Sequence, residues 1–277
     1  MAPIDTHVLV ASADVARYPA DPAAPPLAPG ELAGMTAPAA LARALDSGAI
    51  AGAVLVQRGR LYGCDNRLVC DLAATDRRLR ALVAVDPAAA DAGAQAARLL
   101  AAPGVAGLRL MEPVRGADTG WLAGSGAQAQ WHAAAAAGAL LDVHAFPWNR
   151  AAVLAELALL LARCPDVPVL LDNLGGAPAV PPDAAMAALA AHPQLAVKVS
   201  AISLARWAEA GLEPAAALAP WFALFGPARI VWGSDLLAAG ADLLAVTGRV
   251  DAAFSALDPA IRAALLHGNA ARLFGLA

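Results

Sequence analysis

Eight short apolar runs alternate with helical stretches along the chain, and no run is followed directly by another. The runs are residues 4–10, 52–57, 80–85, 104–110, 139–145, 167–173, 195–200 and 229–233. Most are near-continuous in Val, Ile, Leu and Ala, the signature of strands buried on both faces of a parallel sheet. Between them lie helical signals. Thr36 caps a helix through Leu45 that ends at Gly48, and another helix starts near Asp65. Asp86-Pro87 supplies a cap and a first-turn proline for a helix to about Ala101. An alanine-rich helix surrounds Trp131, Asn149 caps a helix through Arg163, and further helices occupy 183–191 and 203–225. Asp258-Pro259 opens the closing helix.

Strand-helix alternation repeated eight times predicts an α/β chain of the (β/α)8 TIM-barrel class, as one domain over residues 1–277. A doubly wound open sheet is the competing architecture. The first strand lacks a Gly-x-Gly-x-x-Gly or phosphate-loop motif, which disfavours a nucleotide-binding version of it.

Composition enters through what it excludes. The chain is 60% hydrophobic and its mean hydropathy is +0.58, yet much of this is alanine. Asp142, Glu156 and prolines interrupt the longest apolar stretches, so no spanning helix is expected. A net charge of −4 without a basic run argues against nucleic-acid or anionic-membrane partners and leaves a small molecule as the expected one. Met1-Ala2-Pro3 leads at once into a strand, with no room for a signal peptide. Cys64, Cys70 and Cys164 form no Cys-x-x-Cys pair, so reduced thiols and a cytoplasmic setting are expected. Pro19, Pro22, Pro25, Pro26 and Pro29 make residues 14–35 a long loop, of the kind that serves as a lid or binding loop.

Active sites of such barrels sit at the carboxyl ends of the strands. The last polar side chains of the runs are His7, Gln57, Asp86, Arg109, His144, Asn173, Ser200 and Asp235. Taken singly, each has a plain structural explanation: a histidine after a strand is usually just hydrogen-bonded, an arginine can be a surface pair, and Asp235 can cap a helix. Two imidazoles, a guanidinium and a carboxylate at one set of strand ends favour a site that binds an ester, holds a metal or activates water.

At these residues the chain resembles the amidohydrolase-2 group of the amidohydrolase superfamily. The matching segments run in order from Ile4-Asp5-Thr6-His7, through Arg17-Tyr18-Pro19 and Gln57 with Tyr62-Gly63-Cys64-Asp65-Asn66, to Gly104 through Arg109. They continue with Val197-Lys198-Val199-Ser200, Trp232-Gly233-Ser234-Asp235 and Asn269 through Gly275. The branch it looks most like is the 2-pyrone-4,6-dicarboxylate lactonase-like hydrolases. Several family positions differ. Leu9 stands for the second histidine of the opening pair, Asn173 for a histidine, and Leu236-Leu237-Ala238 for Trp-Pro-His. Leu204 replaces an arginine, with Arg206 close by, and Met35 replaces a tyrosine.

The resemblance implies hydrolysis of a small carboxylated lactone or related cyclic ester. Asp235 would take a proton from attacking water, and His7 and His144 would stabilise the oxyanion. Arg109 and Arg115 would hold a substrate carboxylate, with Asn173 also at the substrate. Lys198, on a strand face with Ser200, would neutralise the leaving oxygen or form a buried ion pair. Metal-dependent relatives bind zinc through both opening histidines, the fifth-strand histidine and the last aspartate. Here His7, His144 and Asp235 are the equivalents, and three ligands plus water can make a zinc site. The lactonase branch works without metal, which suits the reduced set better, so no cofactor is expected. The rival readings are a metal-dependent decarboxylase of the same superfamily and a degenerate barrel that binds a small ligand without catalysis. Loss of the family's residues at Leu9, Asn173, Leu204 and Leu237 favours the degenerate barrel, and retention of Asp235 speaks against it.

Overall fold

The computed structural model describes residues 1–24, 35–176, 181–235 and 243–276, without the side chains of Leu244 and Val246. The described residues form eight strands: β1 (Ile4–Val8), β2 (Gly52–Val56), β3 (Leu79–Val83), β4 (Val105–Met111), β5 (Leu140–His144), β6 (Val169–Leu171), β7 (Leu195–Ser200) and β8 (Ile230–Gly233). They belong to one sheet, in the order of the sequence from β1 to β8, and every connection contains a helix. This is the (β/α)8 TIM-barrel class, as the alternation predicts.

The chain divides into two compact units. The first comprises Met1–Ala84, Pro103–Val105 and Val231–Ala277, and the second Val85–Ala102 and Ala106–Ile230.

In the first unit β1 pairs in parallel with β2, and β2 with β3. Strand β1 is irregular: its register slips between Asp5 and Val8. The expected strand reaches Val10, but the ladder stops at Val8 and Val10 instead makes an isolated bridge to Thr36. That bridge also removes Thr36 from its expected cap. The helix starts at Pro38, preorganised by the proline ring, and ends at Asp46. The next helix after β2 is the single turn Gly59–Tyr62, before Arg67–Thr75. At the C-terminus Asp258 accepts from the amides of Ala260 and Ile261, capping the helix Pro259–Ala263.

In the second unit β4, β5, β6 and β7 pair in register, with Arg109 opposite Asp142 and Met111 opposite His144. Two expected caps lie elsewhere. Asp86 caps a turn through the amide of Ala88, and the helix proper is Ala92–Leu100. Gly126 shows why: any Cβ there would strike the carbonyl oxygen of Pro87, so residues after Asp86 pack against the helix Ser125–Ala137 before turning helical. Asn149 precedes the helix Arg150–Arg163, but its side-chain oxygen accepts from the amide of Phe146 instead. Asp183 and Ser200 do cap, at the helices Ala184–Ala190 and Ala201–Glu209. Much of the loop 14–35, Pro178 and Leu236-Leu237-Ala238 lie outside the described residues.

Candidate active site

In the first unit, the end of β1 meets the end of β8. His7 Nε2 is 3.4 Å from Asp235 Oδ1, and the two side chains are 1% and 5% exposed. A lattice of short hydrogen bonds holds the pair. Asp5 Oδ1 accepts from the amides of His7 (3.0 Å) and Ser234 (2.7 Å). Thr6 Oγ1 donates to Trp232 O at 2.6 Å, while Ser234 Oγ and the Asp235 amide both donate to His7 O. This is where the slip in β1 becomes useful, because it lets the Asp5 carboxylate clamp backbone on two strands. Gly233 allows the approach. A Cβ there would stand 2.8 Å from His7 Cβ and 2.9 Å from His7 N. Asp235 itself has φ +45, a left-handed conformation that aspartate tolerates better than most residues and that re-aims its side chain at the strand end. Leu9 is buried. Gln57 is used locally, donating to Gly63 O and Asp65 O.

The second unit holds a different kind of cluster. Lys198 is wholly buried, with its Nζ 3.1 Å from Asp142 Oδ1 and 2.5 Å from Asp172 Oδ1. Arg109 Nη1 reaches Asp142 Oδ2 (3.1 Å) and Asp172 Oδ2 (3.2 Å). Two cations and two carboxylates therefore balance. Burial pulls the Lys198 ammonium down, but the carboxylates of Asp142 and Asp172 outweigh it and hold the group above the ordinary lysine range. His144 sits at the edge of the cluster. Its Nδ1 is 3.2 Å from Asp172 Oδ2 and 3.3 Å from Arg109 Nη2, so its tautomer depends on which of them it pairs with. Asn173 Oδ1 accepts from Ser200 Oγ at 2.5 Å. Asn173, Leu174, Gly175 and Gly176 all have positive φ, making one left-handed turn after β6. Gly176 is required there, since a Cβ would lie 2.7 Å from Ala145 O.

Of the residues singled out in the sequence, His7 is thus brought to Asp235, and Arg109, His144 and Lys198 are brought together. Arg115 is exposed on the loop after β4, its guanidinium 4.5 Å from the Trp148 ring centroid. Asp5, Asp142 and Asp172 are polar members of these clusters that a reading of strand ends misses. The signal for Asp142 is its position inside an apolar strand, two residues before His144 and so on the same face; a charge buried there needs a partner.

The fold is that of a TIM-barrel protein with polar clusters at its strand ends. The amidohydrolase family model Amidohydro_2 matches residues 4–276, and the chain belongs to that family. No curated protein matches it in sequence. Among solved structures it is similar to a proposed 2-pyrone-4,6-dicarboxylic acid hydrolase from Pseudomonas putida, at 24% identity and TM-score 0.70, covering 99% of this chain and 98% of that one. An amidohydrolase from Burkholderia multivorans with bound zinc is 23% identical at TM-score 0.69, with 100% of both chains covered. The 5-carboxyvanillate decarboxylase of Sphingomonas paucimobilis is 16% identical at TM-score 0.68, covering 100% of this chain and 99% of that one.

The zinc in the Burkholderia structure raises the question of fit. Among the described residues no group of three or more His, Cys, Asp and Glu side chains could hold a metal ion. Leu9, buried two residues after His7, supplies no ligand where the metal-dependent relatives carry a second histidine. Among the described residues no helix is long and apolar enough to cross a membrane.

Proposed function

We propose that this amidohydrolase-family chain is an enzyme that hydrolyses a small carboxylated lactone or related cyclic ester, with Asp235 as general base. The observation that supports this best is the buried His7–Asp235 pair, held at the cost of a left-handed backbone at Asp235 that a purely structural ion pair does not need. In the proposed reaction Asp235 accepts a proton from water while the water oxygen forms a bond to the lactone carbonyl carbon. The ring C–O bond then breaks, and the leaving oxygen takes the proton that Asp235 accepted, giving a hydroxy acid and restoring the carboxylate. His7 donates to the developing oxyanion. His144 is the second donor that the family resemblance implies; within its own unit, a bond from Arg109 Nη2 to its Nδ1 places the imidazole hydrogen on Nε2. Arg115 recognises the substrate carboxylate. Arg109 and Lys198 are engaged by Asp142 and Asp172, so their part is to hold His144 and the strand ends in place. The site is read as working without a cofactor.

The test is a panel of lactones with one, two or no carboxylates. Monocarboxylated or sugar-like lactones are expected to be turned over faster than the pyrone dicarboxylate, because Leu204 and Met35 stand where the lactonase-like branch carries an arginine and a tyrosine. Preference for the dicarboxylate would overturn the substrate assignment. Release of carbon dioxide from an aromatic acid, without lactone hydrolysis, would replace the hydrolase by a decarboxylase. A ligand that raises the melting temperature without being turned over would favour a binding protein.

A further inference from the structure

Beyond β4, the chain spends a buried carboxylate on a neutral task. Glu112 is 5% exposed, yet its two oxygens accept from the amide of Gly116 (2.8 Å) and from Trp148 Nε1 (2.7 Å). The first bond tightens the loop 112–116, which turns at Gly116 with φ +90. The second ties that loop to the loop after β5. Trp148 is 49% exposed, while the other five tryptophans, Trp121, Trp131, Trp207, Trp221 and Trp232, are at most 4% exposed. Its indole stacks on Phe146, with centroids 4.4 Å apart and planes 7° apart, and Phe146 lies 4.3 Å from the His144 ring. The Arg115 guanidinium lies over the Trp148 ring. The result is a column from Arg115 through Trp148 and Phe146 to His144, pinned by a buried carboxylate.

A half-exposed tryptophan contributes little to core burial, and a long arginine on a turn loses much rotamer freedom when it is held. Both costs have a use if the guanidinium must be waiting in one place. A cation resting on an aromatic face is partly desolvated and preorganised, so its N–H donors bind a carboxylate with less entropy loss. We infer that Trp148 and Glu112 are positioning residues that hold Arg115 ready for the carboxylate of the substrate. This rests on the proposed reading of Arg115 as the carboxylate-binding group.

The experiment uses the full chain and benzoate as the anionic probe, with benzamide as its neutral counterpart, by isothermal titration calorimetry. Arg115→Met is expected to weaken benzoate binding more than tenfold and Trp148→Leu about five- to tenfold. Trp148→Phe keeps the aromatic face but loses the bond to Glu112, so it should recover part of the affinity and fall short of the wild type; full recovery would remove Glu112 from the positioning role. Benzamide binding should change little in any of them. If Arg115→Met binds benzoate like the wild type, the reading of Arg115 fails and takes the inference with it. If Arg115→Met loses binding and Trp148→Leu does not, the positioning role alone is wrong. Equal losses of benzoate and benzamide in Trp148→Leu would mark a general structural defect and also overturn it. A wild type that fails to bind tens of millimolar benzoate sinks both.

Discussion

The two polar clusters are built from similar residue types and behave oppositely. In the first unit a carboxylate meets an imidazole, a group charged only when protonated, and the pair is steered by backbone hydrogen bonds. In the second, two carboxylates meet a lysine and an arginine that stay charged at neutral pH, and the charges cancel internally. The first arrangement leaves one carboxylate facing an imidazole that can be neutral, the kind of partner proposed for a proton acceptor. In the second, removing any one member leaves a buried charge without its partner. A charge near a strand end is therefore not by itself a reactive group. What faces it decides.

The largest effect expected is on stability, in the second unit. Lys198→Met should cost about 3–5 kcal/mol, since it removes a fully buried cation that faces both Asp142 and Asp172. Urea denaturation measures it, and a loss under about 1 kcal/mol would mean the cluster is not a structural balance. Asp235→Asn should do the reverse. It should unfold at nearly the wild-type urea concentration while turnover drops about 10²–10⁴-fold, the usual contribution of a general base. Near-normal turnover would remove Asp235 from the chemistry.

Gly233→Ala sharpens the contrast by moving His7 without changing any charge. Its Cβ would crowd His7 N and Cβ, an overpacking cost of about 1–3 kcal/mol, with loss of activity beyond what the stability change explains. Full activity in that variant would show that the lattice around the pair is looser than its distances imply.

The smallest expected effect is a pH dependence. The folded state holds Lys198 above its ordinary value of 10.5, so the stabilisation is complete below that pH. It should fade as the pH rises through the raised value, where the folded protein too loses the proton. Thermal melts at increasing alkaline pH should show this loss in the wild type and a weaker one in Lys198→Met. Outside both clusters, burial pushes the Cys70 thiol up to about 11, so at about pH 8 a thiol reagent should modify exposed Cys64 well before Cys70.

Much of the fold is legible in the sequence. Strands such as Leu195–Ser200 follow directly from apolar runs closed by polar residues, and Asp258 marks a real helix start, while the cap expected at Thr36 does not. The reason is that period, proline and capping chemistry act within a few residues of the chain. Asp86 and Asn149 show where that locality ends, for each has the chemistry of a cap and each is claimed by a nearer turn. The strand-end histidines and Asp235 are also visible there as candidates.

Which groups cancel one another is not visible in the same way. Asp5 clamping two strands, Asp142 and Asp172 neutralising Lys198 and Arg109, and Glu112 pinning Trp148 all join residues distant in sequence. The sequence by itself determined the barrel class and the inventory of polar residues at its strand ends, because burial periodicity is local. Only the tertiary structure decided which carboxylates are neutralised and which remains paired to a titratable imidazole. Register between strands sets those partnerships, and a slip of one residue, as in β1 between Asp5 and Val8, reassigns them.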